Sequence, residues 1–86
     1  MDTHTFRIII EPDENNTYHG YAPALSGCHT WGDSIEETKK NLNDAIDLYI
    51  NSLIEDKKEI PQDNGFEYFV TISTNKLETK RLNCHA

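Results

Sequence analysis

Residues 33–53, DSIEETKKNLNDAIDLYINSL, decide the fold. Apolar side chains recur there every three or four positions, which is the period of a helix with one apolar face. The stripe consists of Ile35, Thr38, Leu42, Ala45, Ile46, Tyr49 and Leu53. We therefore expect a helix of about five to six turns. Ser34 followed three residues later by Glu37 predicts a capping box, in which each side chain accepts a hydrogen bond from the other residue's N–H.

Three short strands are predicted ahead of this helix. Residues 4–11 and 18–25 alternate apolar and polar side chains, and the turn formers of residues 12–17 lie between them. These segments predict a hairpin. A third strand is expected over residues 28–31, after the Ser26-Gly27 break. Strands joined by such short turns form an antiparallel meander.

A fourth strand is predicted after the helix, over residues 66–74, where Phe66, Tyr68, Val70 and Ile72 fall on one side. The helix gives this strand room to cross over, so the expected fold is α+β in the order β-β-β-α-β. One helix covers only one sheet face. The apolar residues expected on the uncovered face are Ile9, Tyr21, Leu25 and Phe69. Such a face is a candidate partner surface, and we expect a homodimer.

Size and charge limit the function classes. With 86 residues the chain forms one small domain, expected over residues 1–75, followed by a short basic tail over residues 76–86. Fifteen acidic residues oppose eight basic ones, and the net charge is −7. This charge repels nucleic-acid phosphates and anionic lipids, so basic or uncharged partners are expected. The N-terminus has neither the basic flank nor the apolar length of a signal peptide, which favours a cytoplasmic protein.

Catalysis and metal binding find little support in the residue pattern. Cys28 and Cys84 are too far apart for a CxxC pair or a zinc signature, and Cys28 is interpreted as a small buried apolar residue. His19 and His29 can be neighbours across two strands, but exposed strand histidines are commoner than metal ligands. The acidic residues fall in turns and on the helix rather than at strand centres. We therefore expect no enzyme activity, no metal and no cofactor.

Two blocks of sequence carry a family resemblance. They are Gly20-Tyr21-Ala22-Pro23-Ala24-Leu25-Ser26-Gly27-Cys28 and Gly32-Asp33-Ser34-Ile35-Glu36-Glu37, followed by Asn41 and later Pro61. This order of residues resembles the HicB-like antitoxins over roughly residues 5–62. The matching motif positions are Tyr21, Pro23, Leu25, Gly27, Cys28, Gly32, Asp33, Ser34, Glu37, Asn41 and Pro61. The chain departs from the family pattern at Ala24, Ser26 and Thr38.

Most motif residues are interpreted as structural. Asn41 has two open interpretations, a hydrogen bond to the backbone of an adjoining loop or projection into solvent. Trp31 is interpreted as core or interface packing.

The resemblance implies a degenerate ribonuclease-H-like domain that binds and silences HicA, a small basic toxin that cleaves messenger RNA. An acidic chain suits such a partner, since it can occupy a cationic RNA-binding face. Candidate contacts in the partner or dimer surface are Ile9, Tyr21, Phe69, Asp13, Glu14, Asp44 and Asp47. DNA binding is not expected, because only about a dozen residues follow the last predicted strand. The alternative function is an orphan HicB-like module, dimeric and binding a protein or a small ligand without any toxin.

Overall fold

A three-stranded antiparallel sheet with one helix on one face forms the body of the computed structural model, which describes residues 3–74. The elements in chain order are β1 (Ile9–Pro12), a 3-10 turn (Glu14–Asn16), β2 (Tyr18–Tyr21), β3 (His29–Gly32) and α1 (Ile35–Glu55). The strands lie in the order β1-β2-β3, so β1 and β3 are the two edges. The predicted α+β class, the meander and the long helix are confirmed.

The helix approaches the sheet over two glycines. A Cβ atom on Gly20 would lie 2.8 Å from Thr38 Cγ2, and one on Gly32 would lie 2.7 Å from the Thr38 backbone nitrogen. Gly20 stands opposite Ile10 on β1 and Thr30 on β3, so this row of residues faces the helix. Because neighbouring strand residues point to opposite faces, the alternate row faces away from it.

We call this second face the open face, and it carries Ile9, His19, Tyr21, His29 and Trp31. The helix covers the other side of the sheet.

Ser34 caps the helix as predicted. Its hydroxyl accepts a hydrogen bond from the Glu37 N–H at 3.0 Å. The reciprocal bond differs from the prediction, because Glu37 Oε1 accepts from the Asp33 N–H at 2.6 Å instead of the Ser34 N–H. The carboxylate thus reaches one residue further back and ties the end of β3 to the first turn of α1. At the other end Lys57, with φ 56°, closes the helix in a Schellman arrangement, and the Lys58 N–H donates to the Leu53 carbonyl.

The core is small and lies between α1 and the sheet. Its buried residues are Ala22, Leu25, Cys28, Thr38 and Leu42. Placing Leu25 on the uncovered face was wrong, since its side chain is only 1% exposed. The predicted second strand ends at Tyr21, and residues 22–28 form successive turns in which the Leu25 N–H donates to the Ala22 carbonyl. Strand alternation stops where those turns begin, and they direct Leu25 into the core.

The predicted fourth strand is not found among residues 3–74. Residues 66–74 follow the helix in an extended, exposed stretch that belongs to no strand or helix of the described chain. Their large apolar side chains are between 68% and 100% exposed. A strand needs a neighbour to pair its backbone groups, and the sheet of residues 3–74 contains β1, β2 and β3 alone. The predicted tail, residues 76–86, lies outside the described residues.

Candidate partner-binding surface

A row of stacked rings crosses the open face. His19 on β2 stands directly opposite Trp31 on β3, and their ring centroids are 4.8 Å apart. His19 also stacks on Tyr21 at 5.4 Å, although these two follow each other along β2 on the same side of the strand. We call the four residues His19, Tyr21, His29 and Trp31 the aromatic row. Cross-strand register places them together, since residues of equal parity share one face.

The two histidines of the aromatic row are joined directly. His19 Nε2 and His29 Nδ1 are 3.1 Å apart, a hydrogen bond in which one ring nitrogen donates and the other accepts. The predicted neighbourhood of the two rings is confirmed. Among residues 3–74 no group of three or more His, Cys, Asp or Glu side chains is placed to hold a metal ion.

An acidic margin lies at one end of the aromatic row. Trp31 Nε1 donates to Asp13 Oδ2 at 2.8 Å, and the Glu14 N–H donates to Asp13 Oδ1 at 2.8 Å. The hydrogen bond from Glu14, followed by that from Trp31, lowers the pKa of Asp13 below its ordinary value. Glu11, opposite His19 on β1, adds another carboxylate on the open face. The acidic margin therefore consists of Glu11, Asp13 and Glu14.

Asn41 supports the aromatic row from the helix side. Its Nδ2 donates to the backbone carbonyl of Trp31 at 2.9 Å. Of the two interpretations open from the sequence, the backbone hydrogen bond is the one that the structure contains. Asn41 therefore helps to hold the strand that carries Trp31.

The other predicted contact residues occupy three places. Ile9 stands opposite Tyr21 and extends the open face across β1. Asp44 and Asp47 are exposed on α1, and Asp44 lies 3.8 Å from Lys40 Nζ in an ion pair one helical turn away. Because the sheet separates the helix from the open face, these two acids are not brought together with Asp13 and Glu14. Phe69 is fully exposed in the extended stretch.

A shallow hollow of about 390 Å³ adjoins the aromatic row and is bordered by the turn of residues 22–28. Pro23 and Gly27 belong to this turn, and Gly27 has φ +80°, a value that favours glycine. Cys28 lies buried at its inner side, and burial raises the pKa of its thiol. A thiol held protonated is a poor nucleophile. The interpretation of Cys28 as a small buried apolar residue is confirmed.

The described motif residues act mainly on the fold. Gly32 admits the helix, Ser34 and Glu37 cap it, and Asn41 holds β3. Half-buried Pro61 precedes the segment that returns to the sheet. The aromatic row and its acidic margin remain as a described surface that combines exposed aromatic rings with carboxylates.

Comparison with protein families decides the class. The sequence model of the HicB-like antitoxins of bacterial toxin–antitoxin systems matches residues 6–80. The chain belongs to the HicB-like antitoxin family. Family membership agrees with the motif of residues 20–41, whose glycines and cap residues build the turn and helix start described above.

Relatives and solved structures support the assignment. A UPF0150 protein of Synechocystis sp. is 36% identical over 61 residues, which cover 71% of this chain and 77% of that protein. A UPF0150 protein of Thermoplasma acidophilum is 40% identical over 65 residues, covering 76% of this chain and 94% of that protein.

Among solved structures, the N-terminal domain of the Burkholderia pseudomallei antitoxin HicB matches with a TM-score of 0.60 and 25% identity, covering 92% of this chain and 85% of that one. The structure of that antitoxin HicB itself matches with a TM-score of 0.58 and 25% identity, covering 92% of this chain and 55% of that chain.

Sequence reasoning missed one polar cluster. Asp63, from the segment after α1, accepts hydrogen bonds from the Arg7 backbone N–H at 2.8 Å and from Arg7 Nε at 2.9 Å. Arg7 Nη1 also donates to Glu67 at 2.9 Å. Arg7 is the only charged residue in residues 4–10, which was its one signal in the sequence.

No helix of the described residues is long and apolar enough to cross a bilayer.

Proposed function

We propose that this chain is the antitoxin of a toxin–antitoxin pair and that it inhibits a small basic HicA-type toxin that cleaves messenger RNA. Membership of the HicB-like family supports a toxin as the kind of partner. The observation that carries the proposal is the aromatic row beside its acidic margin, on a sheet face that the helix does not cover. Tryptophan, tyrosine and flanking charges are typical of the centre and rim of a protein interface.

The proposed mechanism is occupation rather than catalysis. A toxin that grips RNA phosphates presents cations, and the carboxylates of Glu11, Asp13 and Glu14 can meet those cations in place of the RNA. Trp31, 48% exposed, supplies a broad apolar ring at the centre of the contact. The Asp13 bond to the indole holds this ring in one orientation, so little conformational freedom is lost on binding.

The proposal also covers cofactors, DNA binding, location and oligomeric state, on the basis of net charge and family membership. A degenerate ribonuclease-H-like fold acting by binding needs neither metal nor cofactor. The net charge of −7 opposes contact with operator DNA, so we propose no DNA binding by these 86 residues. We propose a cytoplasmic homodimer, in keeping with a toxin that acts on messenger RNA.

Co-expression with a HicA-type toxin, sought first in the gene adjacent to this chain's own, tests the function. The wild-type chain should relieve the growth arrest and co-purify with the toxin. Trp31→Ala should weaken binding at least tenfold, whereas Leu48→Ala, which truncates an exposed apolar side chain on the helix, should bind like the wild type. Both variants are checked for folding by circular dichroism.

Paired charge variants locate the contact. Glu11→Gln on the open face should weaken binding, and Asp47→Asn on the helix removes the same charge and should not. Equal effects of the two would contradict the open face as the toxin surface. No relief of growth arrest and no complex with the wild-type chain would remove the antitoxin function and leave the orphan interaction module.

A further inference from the structure

We propose that residues 66–74, which lie in no strand of the described chain, form a fourth strand by adding to the β1 edge of a second copy of this chain, so that two chains exchange strands. The inference rests on the homodimer proposed above and specifies how it is built. It does not depend on the identity of the toxin.

Residues 66–74 have the alternating sequence pattern of a strand but lie outside the strands of the described chain. Phe66, Tyr68, Val70 and Ile72 alternate along this segment, yet none of these residues lies in a strand of the described chain. Phe69, on the opposite side, is 100% exposed. Aromatic and β-branched side chains in such density stabilise a chain when they are buried and favour aggregation when they are not. A partner strand would bury these side chains.

The start of the segment is held firmly beside β1. The side chain of Asp63 is 3% exposed and accepts hydrogen bonds from both the backbone and the guanidinium of Arg7. Glu67 accepts from the same guanidinium. Arg7 lies two residues before Ile9, the first residue of β1, so the segment leaves the body at the edge of the sheet that β1 forms.

The β1 edge is the incomplete side of the core. The helix packs mainly on β3 and β2 and least on β1. Phe6 and Ile8 pack against the core but remain only partly buried, and Ile10 is partly buried as well. A strand placed along β1 would cover these three side chains. Apolar residues at alternate positions, as in residues 66–72, are the pattern that does so.

Charge favours a second copy over the toxin as the occupant. Residues 66–74 carry one formal charge, at Glu67, and Arg7 compensates it. A neutral apolar strand complements the apolar β1 edge of another copy, whereas it offers nothing to a cationic RNA-binding face. Two chains of charge −7 can also approach each other only where the touching surfaces are neutral.

Symmetry and size agree with this arrangement. Among residues 3–74 each chain has one such segment and one β1 edge with no neighbouring strand, so a reciprocal exchange closes as a twofold dimer. The pair contributes six aromatic side chains from residues 66, 68 and 69. Each buries roughly 150–250 Å², which together with the surfaces they cover reaches the roughly 1,200 Å² of a specific interface.

The solution mass of matched variants tests the exchange. Light scattering at tens of micromolar should give the wild-type chain about twice its 9.9 kDa mass. Val70→Asp should shift it to the monomer mass. Leu48→Asp places the same charge on an apolar side chain of equal exposure, 73% against 70%, and should remain a dimer. A monomeric wild type, or a Val70→Asp chain that stays dimeric, would overturn the proposal.

Cross-linking separates exchange from a strand that folds back on its own chain. In a Cys84→Ser background, a Val70→Cys chain is mixed with a Glu11→Cys chain and treated with a bismaleimide. The Cys84→Ser chain alone controls for the buried Cys28. Exchange gives a covalent dimer of the two variants. If the double variant cross-links only within one chain, the strand is intramolecular and the proposal is wrong.

The same Val70→Asp chain keeps the two proposals apart. The mass measurement uses the chain alone, so failure to inhibit any toxin leaves it unaffected. If Val70→Asp remains a dimer but no longer relieves the growth arrest caused by the toxin, residues 66–74 contact the toxin and the proposal of strand exchange is wrong.

Discussion

Single residues set how closely the helix lies on the sheet. Thr38 is fully buried and fills the space above Gly20 and Gly32. Its hydroxyl donates to the Ser34 carbonyl at 2.7 Å, so its one hydrogen-bond donor is satisfied inside the core. The chain differs here from the family pattern, and the methyl and hydroxyl of Thr38 both contact the sheet surface that the glycines leave free.

We predict different consequences for alanine at these two glycines. Gly32→Ala should destabilise the fold by about 1–3 kcal/mol, because the added methyl meets the Thr38 backbone. Gly20→Ala should destabilise too, but its methyl meets Thr38 Cγ2, which Thr38→Ser removes. Urea unfolding of the double variants, each referred to Thr38→Ser alone, should show rescue of Gly20→Ala but not of Gly32→Ala. Equal rescue would contradict the backbone contact.

The Asp13 bond to Trp31 should make the open face sensitive to acid. The pKa of Asp13 is lowered in the folded chain, so the ionised carboxylate stabilises the fold above about pH 3.8, its ordinary value, and this contribution is lost as the pH falls through the lowered pKa. Trp31 is the only tryptophan, and its fluorescence reports the change.

In a pH titration of Trp31 fluorescence, Asp13→Asn should remove the change at acidic pH. The titration is limited to the pH range in which circular dichroism shows that the chain stays folded. Asp63→Asn, which alters another carboxyl of lowered pKa, should retain the fluorescence change. A change that persists in Asp13→Asn would mean that the indole responds to a different group.

At the scale of the element, the helix start is predictable because its determinants are local. Ser34→Ala removes the hydroxyl that accepts from the Glu37 N–H and should destabilise the protein by about 1 kcal/mol. In a chain of this size that lowers the melting temperature by roughly 4–8 °C. Asp33→Ala leaves the cap in place and serves as the control. A melting temperature unchanged by Ser34→Ala would show that the Ser34 cap does not contribute to the stability of the protein in solution.

The ends of the strands are harder to predict, since they depend on pairing with other segments of the chain. β2 stops at Tyr21 because residues 22–28 satisfy their backbone groups in turns, and the Ala22 N–H donates to the Cys28 carbonyl across the base of that loop. β1 starts at Ile9, later than alternation alone predicts. The N–H of Arg7, two residues before Ile9, donates to Asp63 instead of to a strand.

For the whole molecule, the two proposed interfaces differ in charge and should therefore respond differently to salt. Toxin binding through carboxylates should weaken as salt rises, because the screening length falls from about 8 Å at 0.15 M to about 3 Å at 1 M. The homodimer through residues 66–74 joins two acidic chains by a neutral segment, so salt should leave it intact or strengthen it.

Titration calorimetry for the toxin and light scattering for the dimer, both across this salt range, check the opposite signs. Toxin affinity that does not change with salt would contradict the role of the acidic margin. A dimer that dissociates on adding salt would point to an ionic interface in place of the strand exchange.

The sequence by itself determined the α+β class, the meander, the helix with its Ser34 cap, and the resemblance to the HicB-like family. These features rest on contacts within a few residues and on periodicity, which a linear sequence displays directly. It also allowed His19 and His29 to be neighbours across two strands, but the register that joins them depends on the loop of residues 22–28, which only the structure shows.

Only the tertiary structure decided the burial of Leu25, the Asn41 bond to Trp31, and the Arg7 clamp on Asp63, which is 56 residues away in sequence. It also placed residues 66–74 outside the three-stranded sheet of the described chain. The physical reason is common to all four. Local pattern shows which surface a segment must bury, but the partner that buries it is set by segments distant in sequence or by another chain.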